Sequence, residues 1–276
     1  DNVPVPHLQA GDAGVVILDK TPFYAESGGQ IGDAGLLCAS DGICFTVNDT
    51  QKLSAIFHGH FGSLATGAIK VGDRLSARVD AGRRQATVIN HSATHLLHAA
   101  LREVLGEHVS QKGSLVNAER TRFDFSHFQA VSQEQLQRIE DLVNAEIRRN
   151  AEAEVHHMGM QEAIDFGAMA LFGEKYGERV RVLKMGDFST ELCGGTHVHR
   201  TGDIGVFKIL SEAGIAAGVR RIEATTGANA VDAYKHSESV LQQAADMVGA
   251  RGQDVLDKLQ QLLDRQKRIE RELDVF

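Results

Sequence analysis

The sequence contains no apolar run approaching the ~18 residues that would span a bilayer, which excludes a membrane-spanning helix. Cysteine is scarce. Cys38, Cys44 and Cys193 form an odd, sparse set, so free thiols in a reducing, cytoplasmic setting are expected rather than a disulfide scaffold. Positive charge is also short: 29 Lys and Arg against 37 Asp and Glu give a net charge of −8. A wholly basic nucleic-acid binder is thereby excluded, though a local basic patch is not. There is no signal-peptide pattern, internal repeat or low-complexity tract, and Asp1 rather than Met heads the chain, as in an excised piece or a processed protein. What remains is an ordinary globular composition, 42% apolar and 24% charged over 276 residues, long enough for one large domain or two modest ones. The 13 histidines are the anomaly.

Residues 1–85 are rich in glycine and short apolar runs, such as Gly14–Leu18, Ile43–Val47 and Leu75–Val79, with turn dipeptides about every ten residues. This pattern predicts a small β-barrel or sandwich, and it is acidic: residues 1–60 hold seven Asp or Glu against two Lys. From Ala86 the texture changes. Ala93, Leu97, Ala100, Leu101 and Val104 recur at helical spacing until Gly106 stops the run. Ser132 with Gln135 makes a capping box that opens a second helix running to about Asn150. Short strands are predicted near residues 121–125, 180–185, 206–210 and 219–225. Helices and strands segregated in this way imply an α+β layer structure over 86–228. Residues 229–276 carry Val255, Leu259, Leu262, Leu263 and Ile269 at heptad-like spacing, a helical, coiled-coil-like tail.

Two spaced pairs carry the chemistry. His91 and His95 stand at i and i+4, on one helical face, within reach of one metal ion, and His98 and Arg102 extend the same stripe. Cys193 and His197 flank Gly194-Gly195, which permit a tight loop. Together the four residues make a chemically sound tetrahedral Zn²⁺ set. Either pair alone is a weak signal, since a buried cysteine is commonly a small hydrophobe and a histidine a surface imidazole. Gly28-Gly29-Gln30 suggests a phosphate cradle, but no Lys-Ser/Thr and no helix follow, so a P-loop is excluded and a glycine-rich β-turn is the plain alternative. Arg200, Lys208, Arg220 and Arg221 make a late basic group that could line a path for phosphates.

Several of these segments, taken in order, resemble a known family. Thr21–Asp33 with its Gly28-Gly29-Gln30, the His91/His95 pair, Gln111–Ser114, Arg122–Phe125, Cys193–His197 and Gly218–Gly227 are similar to the editing region of bacterial alanyl-tRNA synthetases. The resemblance covers nearly the whole chain. It implies a β-barrel domain over 1–85, a zinc-containing editing domain of the threonyl/alanyl-tRNA synthetase type over 86–228, and a tail over 229–276 leading to a further domain. The implied partners are the acceptor end of tRNA(Ala) and the rest of the synthetase chain, with no membrane. With no aminoacylation domain before Asp1, charging of tRNA by this chain is not expected.

The implied activity is zinc-dependent hydrolysis of mischarged Ser-tRNA(Ala) and Gly-tRNA(Ala). An alanine pocket cannot exclude glycine and rejects serine imperfectly, since such near-isosteres are separated only ~10–200-fold, so a second hydrolytic site is needed. That site must read the serine hydroxyl with polar groups, for which Gln111, matching an editing-site glutamine of the family, and Thr94 are the candidates, with the metal as a third; the plain alternative for Gln111 is a solvated loop residue. Zn²⁺ either activates water or positions the substrate, depending on whether three or four protein ligands hold it. Gly28, Gly29, Gln30, Arg220 and Arg221 are the expected contacts to the tRNA end. A freestanding trans-editing deacylase and a non-catalytic structural-zinc RNA-binding module are the competing readings. Peptide hydrolysis fits poorly, because no Glu follows His91 as zinc proteases require.

Overall fold

Closely spaced turn signals leave the first eighty residues room only for short antiparallel strands. In the computed structural model, which describes residues 3–54, 56–169 and 177–274, these are β1 (His7–Gln9), β2 (Ala13–Ile17), β3 (Gly35–Cys38), β4 (Cys44–Lys52), β5 (His58–Leu64), β6 (Ala68–Lys70) and β7 (Ser76–Val79). Five of them form one sheet in the order β2-β5-β4-β3-β7, while β1 pairs with β6. Alternation along β4 turns Phe45 and Val47 onto Phe23, Leu37, Leu64 and Ile69. The expected barrel is not formed. Among the described residues β2 pairs only with β5 and β7 only with β3, so the sheet stays open. Closure would require those two edges to share a ladder, but β7 has four residues and the chain turns into a helix at Ala81.

The register of the β3–β4 hairpin sets Cys38 opposite Cys44, and the two are joined in a disulfide across a sequence separation of six. The expectation of three free thiols is thus corrected to one, Cys193. Counting cysteines could not reveal this pairing, because it follows from strand register.

α1 (Ala81–Leu105) begins earlier than the apolar repeat implies. Asp80 caps it, its carboxylate accepting the Arg83 N–H at 2.9 Å, and residues 81–85 carry no apolar stripe that would have signalled the start. There follow β8 (Gln111–Val116), β9 (Thr121–Ser126), α2 (Gln133–Arg149), β10 (Ala153–Gly159), α3 (Met160–Asp165), β11 (Arg179–Met185), β12 (Ser189–Leu192), β13 (Phe207–Ala216) and β14 (Val219–Thr226). The Ser132/Gln135 capping box opens α2, and Asn150 ends it in the left-handed conformation at φ 52°. β13-β14-β9-β8 make a four-stranded sheet and β10-β11-β12 a three-stranded one. Leu97 and Leu101 of α1, Ile139 and Val143 of α2, and Phe123, Phe125 and Ile222 of the sheet share one buried core, the layered α+β arrangement expected.

The chain divides into two units, 1–228 and 229–276. Most of α4 (Gly227–Val248) and all of α5 (Val255–Leu273) make up the second, separated by Gly249 and a short 3₁₀ turn at Gly252–Asp254. The tail is helical, but it is two helices rather than one continuous coil. Leu259, Leu262 and Leu263 of α5 remain 38–51% exposed, so their stripe forms no coiled-coil seam among the described residues.

His60 ties the open sheet to the loop after β2. Fully buried, it donates from Nδ1 to the Val16 carbonyl at 2.8 Å, while its Nε2 meets Thr21 Oγ1 at 2.7 Å. Burial holds its pKa below the ordinary histidine value despite the Val16 bond. The unfolded chain therefore binds this proton more readily than the fold does, and stability is lost as pH falls through ~6.5 towards the depressed folded value. Urea midpoints measured at about pH 7 and about pH 5 should fall more steeply for the parent than for His60→Gln; equal slopes would count against this role.

Candidate metal centre

α1 runs through the core with two faces. Ala93, Leu96, Leu97, Ala100 and Leu101 meet apolar neighbours, while His91, His95 and His98 are each 2–4% exposed on the other side. The helical spacing stacks the His91 and His95 rings 5.2 Å apart. Between β12 and β13 the Cys193–His197 loop returns to this face, placing the His197 ring 4.4 Å from His91 and 5.0 Å from His95. Cys193 Sγ lies 3.2 Å from His197 Nε2 and 3.6 Å from His91 Nε2, and all four donor atoms fall within 4.8 Å of one another. Tetrahedral Zn²⁺ with bonds of ~2.0–2.3 Å separates its donors by roughly 3.3–3.6 Å, a spacing these distances bracket.

Proton positions follow from groups that can play only one role. The Thr196 backbone N–H must donate, and it meets Gln30 Oε1 at 3.0 Å. The same oxygen faces His91 Nδ1 at 2.7 Å, so that nitrogen carries the proton. Ser92 gives its single hydroxyl proton to the Val88 carbonyl at 2.9 Å and accepts the Val198 N–H at 3.1 Å, which leaves it to accept from His197 Nδ1 at 3.4 Å. The Glu191 carboxylate accepts from His95 Nδ1 at 2.5 Å and His98 Nδ1 at 2.9 Å. All three imidazoles of the set therefore turn Nε2 inward, and His95 Nε2 is buried with no hydrogen-bond partner. This arrangement suits a metal ion: neutral imidazoles locked through their outer nitrogens, beside a thiol.

The charges are strongly coupled. Burial opposes ionisation of Cys193, but the neighbouring His91 and His95 hold its thiol well below the ordinary range. Burial likewise opposes charge on Glu191, yet His95 draws its carboxyl down to about 2. His95 is pushed up to about 10, Glu191 and Cys193 outweighing its burial, whereas burial and the neighbouring His91 press His197 down to about 3.

Gly195 is required for this approach. A Cβ there would lie 2.1 Å from His91 Cε1 and 2.9 Å from Gln30 Oε1, while one at Gly194 would meet nothing within 4 Å. Arg181 fastens the loop by donating to the carbonyls of Cys193 at 2.7 Å and Gly195 at 3.0 Å. A cleft of about 240 Å³ opens over the centre, bounded by Ser27, Gly28, Lys52, Arg179, Cys193 and Gly194.

The other residues singled out from the sequence scatter. Gly28 and Gly29 form a turn with φ of 58° and 85°, pinned where Val116 N–H donates to the Gly29 carbonyl at 2.7 Å. Gln30, expected to touch the tRNA end, is fully buried with its amide committed to His91 and Thr196. Gln111 opens the edge strand β8 at a bulge, half-buried, and does not line the cleft. Thr94 is buried, its hydroxyl engaged with the Asn90 carbonyl at 2.8 Å and Thr121 Oγ1 at 2.6 Å. Arg220 is held bidentately by Glu212 at 2.5 and 2.7 Å, and Arg221 by Asp124 at 2.6 and 2.7 Å, so their charge is already answered. Sequence reasoning missed Glu191, Ser92 and Arg181; the available signal was a lone carboxylate in a short strand two residues before Cys193.

Two outcomes follow. Metal uptake must displace the proton of His95, so apparent affinity should fall with acidification by up to about tenfold per pH unit below its raised pKa; zinc competition titrations across neutral pH check this. Gly195→Ala should weaken zinc binding in the same assay, whereas Gly194→Ala should leave it unchanged.

Residues 180–223 match the family model described as the threonyl and alanyl tRNA synthetase second additional domain, and residues 1–83 match that of class II (A) tRNA synthetases. The chain is 63% identical over 274 residues to the alanine–tRNA ligase of Stenotrophomonas maltophilia and 62% identical over 271 residues to that of Xanthomonas campestris. These alignments cover 98–99% of the chain but 31% of each relative, so it spans about a third of the length of the proteins it matches. Over that third, the chain belongs to the bacterial alanyl-tRNA synthetase family.

Proposed function

We propose that this chain is the editing part of an alanyl-tRNA synthetase and hydrolyses the ester of Ser-tRNA(Ala) and Gly-tRNA(Ala), with Zn²⁺ held by His91, His95, Cys193 and His197. The observation that carries this reading is the convergence of three inward-facing Nε2 atoms and the Cys193 sulfur beneath an open cleft. When bound, Zn²⁺ supplies a Lewis acid that polarises or anchors the substrate.

The chain's own residues supply the rest. Lys52 and Arg179 give the cleft a cationic wall for the phosphates of an incoming tRNA end, and Lys52 Nζ also donates to Ser27 Oγ at 2.8 Å. Gly28 and Gly194 lack side chains where that end would pass, and the tRNA-end role is assigned to the Ser27–Gly29 turn rather than to the ion-paired Arg220 and Arg221. Arg181 keeps the Cys193–Gly195 carbonyls in place. Hydrolysis adds water across the acyl C–O bond, the carbonyl carbon taking the hydroxyl and the ribose oxygen the proton. For reading the serine hydroxyl Gln111 is retained on its match to the family's editing-site glutamine, not on the cleft lining, with the metal as the alternative, because the Thr94 hydroxyl is already shared with Thr121.

Deacylation of Ser-tRNA(Ala) beside Ala-tRNA(Ala), with and without chelator, tests the proposal. Serine ester should be cleaved in preference, and chelator should abolish the activity while the fold persists; unfolding by chelator would favour a structural-zinc module instead. Gln111→Ala should keep its zinc but cleave Ser-tRNA(Ala) several-fold more slowly, as the loss of one hydrogen bond worth about 0.5–1.5 kcal/mol implies. Cys193→Ala should lose both zinc and hydrolysis. A parent rate in Gln111→Ala, with unchanged preference over Ala-tRNA(Ala), would remove Gln111 from serine recognition.

A further inference from the structure

The four candidate ligands come from two segments 98 residues apart, His95 of α1 and Cys193 of the loop. Ser92 and Glu191 join these segments directly, and a further connection comes from a third segment. Gln30 lies in the glycine-rich turn before β3, and its single side-chain amide touches both ligand segments. Its Oε1 accepts from His91 Nδ1 at 2.7 Å and from the Thr196 N–H at 3.0 Å, while its Nε2 donates to Thr196 Oγ1 at 2.8 Å. No part of the residue reaches solvent.

The turn fixes the root of this side chain. Gln30 and Ser27 exchange backbone hydrogen bonds at 3.0 and 3.2 Å, and on either side the Gly29 carbonyl and the Ile31 N–H bond to Val116 at 2.7 and 3.1 Å. Gly29 must lack a Cβ, which would lie 2.7 Å from the Ser114 carbonyl. The two glycines therefore let the turn lie flat on β8 and aim the amide into the centre.

We propose that Gln30 is a positioning residue for the metal ligands: it fixes His91 as the Nδ1–H tautomer and clamps the Cys193–His197 loop against α1, so that both segments present lone pairs to one ion. The inference rests on the metal reading above. Its physical basis is the obligate donor at Thr196. An oxygen that already accepts a backbone N–H can only accept from His91 as well, so the imidazole cannot reverse its protonation while the clamp is closed. In the other tautomer Nε2 would carry a proton and could not bind an ion.

The test compares the full chain with Gln30→Leu and Gln30→Glu, using zinc alone and a competing chromogenic chelator. Gln30→Leu should bind zinc ~10–100-fold more weakly, the usual effect of removing an outer partner of a ligand. Gln30→Glu still offers an oxygen to both N–H groups and should recover most of that affinity. A residue that merely stabilised the fold would lower the melting temperature of the metal-free protein without this pattern of rescue. A direct observation needs no variant: in the zinc-loaded parent, imidazole ¹H–¹⁵N correlations should place the His91 proton on Nδ1. Zinc bound through Nδ1 of His91, or parental affinity in Gln30→Leu, overturns the role of Gln30 alone. Failure of the parent itself to bind zinc overturns the metal reading and this inference together.

Discussion

A buried imidazole must satisfy two ring nitrogens, and that requirement organises the half of the molecule built around α1. Gln30, Glu191 and Ser92 each take one nitrogen of a histidine, from a turn, a strand and α1 itself. What they leave is a set of inward-facing Nε2 atoms gathered around the Cys193 sulfur. Glu191 serves twice, and this economy explains why His98 belongs to the stripe without joining the donor set. Its Nδ1 shares the carboxylate with His95, but its ring lies 5.1 Å from that of Phe123, one turn further along the helix.

The candidate ligands were legible because metal binding would impose fixed spacings: i, i+4 on a helix, and a Cys and a His either side of two glycines. The residues that hold the ligands obey no such spacing. Gln30 is 61 residues from His91, and Glu191 is 96 from His95, so only the folded chain brings them together. The same limit explains the open sheet and the disulfide. Turn signals mark where strands end, but not whether the outer two meet, nor that Cys38 will face Cys44. Helix starts were legible where a capping box stood, at Ser132, and hidden where a lone aspartate did the capping, at Asp80.

Charge follows the same division between composition and contact. Arg220 and Arg221 read from the sequence as a basic patch, yet each ends in a bidentate pair with a carboxylate on a neighbouring strand. Lys52 and Arg179, unremarkable in sequence, sit at the cleft instead. In an acidic chain the position of a cation relative to its nearest carboxylate matters more than its presence in a run.

The turn carrying Gln30 also bears on how the molecule can be divided. A change in composition near residue 85 suggests a seam between a β-rich part and the part that carries the ligands, and a shortened protein would naturally be cut there. The hydrogen bonds run across that seam. Arg84 closes on Asp33, α1 already begins at Ala81, and the outer nitrogen of His91 is answered from the β-rich side. A piece starting at residue 86 would keep all four ligands and lose the oxygen that orients one of them. The hydrogen bonds around the four candidate ligands thus reach back to the glycine-rich turn, and the seam in the sequence is a joint within one group of contacts.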